Sequence, residues 1–523
     1  MNKLTALLLL FIIFWAIHHP AGAQDVPYMD NAPDLFFDKI EPERLVSRVR
    51  DLAAPAFQGR ELGTAGNQKA ADWLEFTFRD AGLNPFFEDS FTQQFPVAYY
   101  QLGEKNKLHL VKSGPGSDVQ SDSTLSLFTQ FVPAYYSASD STAARAVFAG
   151  NGKSSTYGKI RTVGNIAVIL QDQPKKNQTN YYPDYLNKAN IASSFGASGV
   201  ILTVPPGHVT QQAPTGFFYR FQEVDLPVEA VKNLGNTAYP YVEPASINIP
   251  VVFTSSDVLP LLFPTENAKI NLKDAIPELG QISKRMVHLH TDVDVAEREQ
   301  ASNVAGFIPG TSPNAKTVIL GAHFDQQGQH SRGGAPFFGA NRNAAGVAVM
   351  LEIMDIFTVV GKRPTHNVVF IGWNGVERNS AGIEHFVTHL PIDKSSILGV
   401  INLNEIAGNR DGDDALVHSS NLPPNTMLYR ALHKSRAYFE FSLRTDEHEP
   451  AFSEAPFDPL ITPFYSSNIP VIRISGGRYP FSNRISDTPD KLNYTQMYNM
   501  THYIMNMVWN LATIDFEHKK LQN

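Results

Sequence analysis

The spacing of apolar and polar positions divides the chain into three textures. Between Phe36 and Pro85 the period is helical. From Asn67 to Ala81 one stripe collects Ala70, Trp73, Leu74, Thr77, Phe78 and Ala81, and Gly82 stops it. From about Ser121 to Val295 the apolar runs are short. Asn165–Leu170, Gly199–Thr203 and Ile249–Thr254 read as strands, with one helix around Tyr185–Ala197. Loops rich in Ser, Asn, Gln, Gly and Pro separate them. From Ala301 onward strands and helices alternate. The predicted strands are Thr317–Gly321, Val368–Trp373, Val400–Leu403 and Val471–Ser475. A helix over Ala344–Phe357 presents Val347, Met350, Leu351, Met354 and Phe357. This order predicts an α/β fold: a mixed, mostly parallel sheet flanked by helices, carrying a smaller inserted α/β unit. Ligands of such sheets bind beyond the C-terminal ends of the strands.

Composition narrows the picture. A chain of 523 residues is long enough for more than one core. Its 43 basic and 51 acidic side chains give a net charge of −8 without a basic tract, which excludes nucleic acid as the expected partner. Cysteine is absent. Disulfides, thiolate zinc sites and a cysteine nucleophile are therefore excluded. No Gly-x-Ser-x-Gly elbow suggests serine hydrolysis.

The N-terminus reads as an export signal. Lys3 is the only charge before Asp25, Ala6–Ile17 is an uncharged apolar run, and Ala21-Gly22-Ala23 is a small-residue cleavage pattern. The run is short for a membrane span. Residues 1–23 are expected to be removed, which takes the net charge to −9 with the loss of Lys3. No other segment is expected to reach a spanning length, so the mature chain is expected to be periplasmic or extracellular, without a transmembrane segment. Asn177-Gln178-Thr179 and Asn493-Tyr494-Thr495 match glycosylation sequons. The sequence sets no oligomeric state.

The expected chemistry lies at the strand ends. They read Gly321-Ala322-His323-Phe324-Asp325, then Gly339-Ala340-Asn341-Arg342-Asn343-Ala344-Ala345-Gly346, Gly372-Trp373-Asn374-Gly375-Val376-Glu377, Asn402-Leu403-Asn404-Glu405, and Tyr479–Asn483 before Ser486-Asp487-Thr488-Pro489-Asp490. In this order they resemble the co-catalytic di-zinc aminopeptidases of metallopeptidase family 28. Gly59-Arg60-Glu61-Leu62-Gly63-Thr64 is similar to the family's N-terminal segment. The middle of the chain resembles a protease-associated domain, with Phe148-Ala149-Gly150-Asn151-Gly152 and Ile249-Pro250-Val251-Val252 as landmarks. The resemblance implies residues 24–120 as the first part of a peptidase-like domain, 121–295 as the insert and 296–523 as the core.

The family's mechanism uses two zinc ions about 3.5–4 Å apart that acidify a shared water. Two His, two Asp and one Glu hold them, and a second Glu takes the water's proton. Carried over by position, His323 and Glu377 survive as metal ligands. Asp325 is retained as the carboxylate that orients His323. The bridging Asp falls on Arg342. The general base falls on Val376. A further Asp falls on Asn404, and the last His on Asn483. Glu405 replaces Asn404 if the register slips by one, and on a strand only one of the two neighbours can face the site. Asp487 reads as part of a turn and helix cap. A permanent cation where a carboxylate should bridge two metals opposes metal binding. The expectation is a secreted pseudopeptidase that binds peptides or protein partners and needs no cofactor. In the alternative, zinc on His323 and Glu377 serves an active aminopeptidase with a non-standard or single-metal site. Without metal, the arrangement expected is a polar pocket in which Arg342 pairs with Glu377 and Asp325 orients His323.

Overall fold

The computed structural model describes residues 28–112, 122–170 apart from 128 and 135, 185–203, 239–241, 247–264 apart from 256, 276–329, 335–377, 380–408, 416–419, 426–439, 444–446, 458–477 and 479–516. The expected leader and the sequon at Asn177 lie outside these residues.

Two sheets organise the chain. The centre of the larger one is four parallel strands: β1 (Thr317–His323), β2 (Asn367–Trp373), β3 (Ile397–Asn404) and β4 (Val471–Ser475), in spatial order β4-β3-β1-β2. Leu320 of β1 lies opposite both Phe370 and Ile401, and Asn402 lies opposite Arg473. Every position of β1 and β3 is buried. That follows from their apolar sequences, since a parallel strand is covered on both faces. Outside this centre the pairing is mostly antiparallel, with one further parallel pair at the edge, between Leu416–Ser419 and Arg444–Asp446. The long strand Val293–Ile308 pairs antiparallel with β2 and with Thr92–Leu102, and Leu416–Ser419 pairs antiparallel with β4.

Helix α1 (Ala345–Val360) packs on this sheet and is buried at nearly every position. Gly361, at φ 68°, ends it in the left-handed conformation that favours glycine. The stretch Ala340–Val360 is long and apolar enough to cross a membrane, contrary to the expectation that nothing beyond the leader reaches that length. Its apolarity has another cause here. Its most apolar window is 78% buried inside the protein. A helix enclosed by a sheet and other helices is apolar all round. Leu74 and Phe78 of the N-terminal helix Ala65–Asp80 join the same core, as do Tyr503 and Trp509 of the terminal helix Tyr494–Ala512. Thr64 caps the former helix by accepting the Asn67 N–H. Asn493 caps the latter by accepting the Gln496 N–H, which places that sequon's asparagine at a helix start.

The second sheet has eight strands and runs from Ser123–Thr124 through Lys107–Lys112, Ile282–His290, Ser141–Phe148, Ile166–Leu170, Gly199–Thr203 and Val251–Thr254 to Phe131–Pro133. It begins at Lys107, earlier than the boundary at 121. Leu108 and Leu110 are buried against Val287 and Leu289, which ties this strand to Ile282–His290 rather than to the large sheet. Tyr239–Tyr241 departs from the expected division in the other direction, since it pairs with Thr92–Leu102 in the large sheet.

Candidate functional site

The C-terminal ends of β1, β2 and β3 converge with two loops. His323 is the last residue of β1 and is fully buried. Its Nδ1 lies 3.3 Å from Asp325 Oδ1 and 3.2 Å from the Asp325 carbonyl, and its Nε2 lies 3.2 Å from Asn404 Oδ1. Oxygen atoms therefore face both ring nitrogens. Burial works against the charged ring, but the Asp325 and Glu377 carboxylates and the Asn404 amide outweigh it, and the His323 pKa is raised. A ring carrying protons on both nitrogens would donate to Asp325 on one side and Asn404 on the other. The second oxygen of Asp325 accepts the Glu377 N–H at 2.9 Å.

Arg342 occupies the centre. Its Nε donates to Glu377 Oε1 at 2.6 Å and its Nη1 to Glu405 Oε1 at 3.3 Å. Burial disfavours its charge, but Glu377 and Glu405 more than compensate, so its pKa is raised. The turn bearing Arg342 is held at several points. Asp487 accepts the N–H groups of Asn341 and Arg342 at 2.9 and 3.1 Å, and Gln326 donates to the Arg342 carbonyl at 2.7 Å. Asn343 accepts the Glu405 N–H and donates to the Leu403 carbonyl. The Arg342–Asn343 peptide is cis.

Asn404 and Glu405 both face the site, which corrects the expectation that only one can. Strand β3 ends at Asn404, and Glu405 has φ 53°, so the strand's alternation no longer applies. Ser482 donates its hydroxyl to Glu405. Asn483 is placed differently from the other position-matched residues. At φ 58° it turns its amide to Gln327, accepting a bond at 3.1 Å. Val376 is 2% exposed and packs among Trp373, Phe386 and Leu460, offering no proton acceptor.

Two charged groups of the site escaped the sequence reading. Arg60 is completely buried and donates to four main-chain carbonyls, those of Leu52, Phe324, Phe338 and Gly339. Burial pulls its pKa down to about 10, against the attraction of Asp325, Asp487 and Glu377. The preceding Gly59, at φ 72°, lets this loop approach Gly328. A Cβ there would sit 2.1 Å from the Gly328 carbonyl oxygen. Asp487 is the second. The expected turn forms at Pro489–Lys491, but Asp487 does not cap it. Its side chain points inward and also accepts the Tyr479 hydroxyl at 2.9 Å. Burial, reinforced by Glu405, raises its pKa to about 6 although three donors oppose the shift.

The cluster therefore sets two guanidinium groups and a raised-pKa histidine against four carboxyl groups. These donors do not fit a pair of zinc ions. The Arg342 guanidinium lies between the two carboxylates, and an amide faces His323 Nε2. Among the described residues no three His, Asp or Glu side chains form a group that would hold a metal ion.

The fold and these strand ends define a zinc-aminopeptidase-like α/β protein. Residues 303–508 match the model of Peptidase family M28. An aminopeptidase from Aneurinibacillus sp. strain AM-1 shares the fold with a TM-score of 0.60 at 17% identity, over 92% of this chain and 97% of that one. BSAP, a zinc aminopeptidase from Bacillus subtilis, shares it with a TM-score of 0.54 at 17% identity, over the same 92% and 97%. No curated protein matches the sequence significantly.

Proposed function

We propose that this chain is an exported aminopeptidase-like protein without metal-dependent hydrolysis, which acts by binding peptides or protein partners. One observation carries the reading: Arg342 bonds to Glu377 and Glu405 at the centre of the strand-end cluster. The guanidinium keeps its charge. It neutralises the carboxylates that would otherwise attract a cation, and it repels the cation itself. Val376 in its apolar cluster leaves no base to activate a water. The cluster itself is buried, so a ligand would meet the rim around it or the inserted sheet rather than the old metal position.

The test is zinc content of the purified mature chain after loading and dialysis, with aminopeptidase assays on unblocked peptides. The expected result is no retained zinc and no hydrolysis, while calorimetry with the same peptides reads binding. One tightly held zinc together with peptide turnover would overturn the proposal. It would favour a second reading, a single-metal aminopeptidase in which Glu405 joins His323 and Glu377. That reading draws support from Glu405 facing the site, and it requires Arg342 to leave both carboxylates.

A further inference from the structure

Apart from the strand-end cluster, the inserted sheet has an end where exposed apolar and basic side chains meet. Val163 is 80% exposed and Leu279 51%, and Phe195 is exposed beside them. The three belong to separate segments that the fold joins. Gly164 donates its N–H to the Gly196 carbonyl at 2.8 Å, and the Val163 side chain lies against Gly196. Phe195 stacks on Tyr157 with ring centroids 5.3 Å apart. Ile160, one turn beyond Tyr157, lies against Gly280, and Leu279 lies against Gly150. The chain thus exposes aliphatic and aromatic groups together at one end, where scattered single residues would need no explanation.

Charge says what fits there. Lys153, Lys159 and Arg161 are exposed in the same segments, and Glu278 is the only acid in residues 151–165, 193–198 and 276–284. A second copy of the chain meeting this end across a two-fold axis would oppose the same cations to one another. Shallow apolar groups ringed by lysine and arginine instead suit an anionic phospholipid surface, where the apolar side chains enter the headgroup boundary and the cations meet lipid phosphates. We infer that this end of the insert is a peripheral contact for anionic membranes. The chain's net charge of −8 makes orientation matter, because this end is a local positive exception.

The test is co-sedimentation of the full chain with phosphatidylcholine vesicles, with and without phosphatidylglycerol. Binding is expected only to the anionic vesicles. Lys159→Glu with Arg161→Glu should weaken it at least about thirty-fold, from roughly 1 kcal/mol per basic residue removed. Val163→Asn with Leu279→Asn should weaken it about ten-fold or more. Both pairs are exposed, and unchanged thermal melting would show that the variants fold. No binding to anionic vesicles overturns the inference. So does binding that the charge variants abolish but the apolar variants leave intact, since that pattern is electrostatic adsorption in which the apolar side chains do not enter the headgroup boundary.

Discussion

The two sheets treat charge in opposite ways. Among the described residues, the buried polar side chains of the inserted sheet and its loops carry hydroxyls only: Ser137, Thr162, Thr203, Thr254, Ser283 and Thr291. The strand ends of the large sheet bury Arg60, His323, Asp325, Arg342, Glu405 and Asp487 within one cluster. Burying ions is costly, and apolar packing of equal volume usually stabilises as well or better. Stability alone therefore does not account for the cluster, whereas the insert is what an ordinary core looks like. Concentrated, perturbed ionisable groups mark a site. Here the site holds a guanidinium, that of Arg342, between two of its carboxylates.

The largest expected effect breaks that arrangement. Arg342→Met leaves Glu377 and Glu405 buried without their guanidinium, and should cost about 3–5 kcal/mol in denaturant unfolding. A cost below about 1 kcal/mol would mean that the cluster relaxes to solvent and is no internal lock. In the insert, Leu202→Ala should cost roughly 2–5 kcal/mol through the cavity it opens. The two losses differ in kind. The insert variant's loss comes from an apolar cavity, and the Arg342 variant's from buried carboxylates left without their cation.

The fold was more legible than the site, for a physical reason. Strands β1 to β4 lie within about three residues of their predicted ends, and the helix around Val347 and Met354 follows its apolar period. Burial on both faces writes itself into consecutive residues. His323, Asp325, Arg342 and Glu377 were likewise visible through their order in the chain. Arg60 and Asp487 were not, although both lay in segments whose resemblance or turn signal had been noticed. An arginine satisfied by four carbonyls and an aspartate turned inward are made by chain segments far apart in sequence. No local pattern distinguishes them from a surface arginine or a cap. Glu405 was obscured by the strand rule itself, because its positive φ ends the alternation one residue after β3. Pairing across the chain is equally hidden in the second sheet, which Lys107–Lys112 joins through Ile282–His290.

Asp487 sharpens the comparison through pH. Its folded pKa of about 6 lies above its ordinary 3.8. A raised carboxyl contributes stability fully below the unfolded value and loses it as pH rises through the folded one. The wild type should therefore lose up to about 3 kcal/mol from this group between about pH 4 and pH 7. Asp487→Asn should lack that slope, so the variant's deficit relative to wild type should shrink towards pH 7. Denaturant midpoints at several pH values read this directly. A parallel pair of curves would show that Asp487 is ionised throughout.

The smallest effect asks whether the cluster acts as one unit. Ser482→Ala removes the hydroxyl that donates to Glu405 and leaves the guanidinium in place. A neutral donor to a buried carboxylate is worth about 1.5–3 kcal/mol, and the partly exposed position of Ser482 argues for the lower end, because water can replace it. Combined with Arg342→Met, the double variant should depart from additivity by at least about 0.5 kcal/mol, since both groups stabilise the same carboxylate charge. Strict additivity would separate Ser482 from the Arg342 network and leave Glu377 as the guanidinium's main partner.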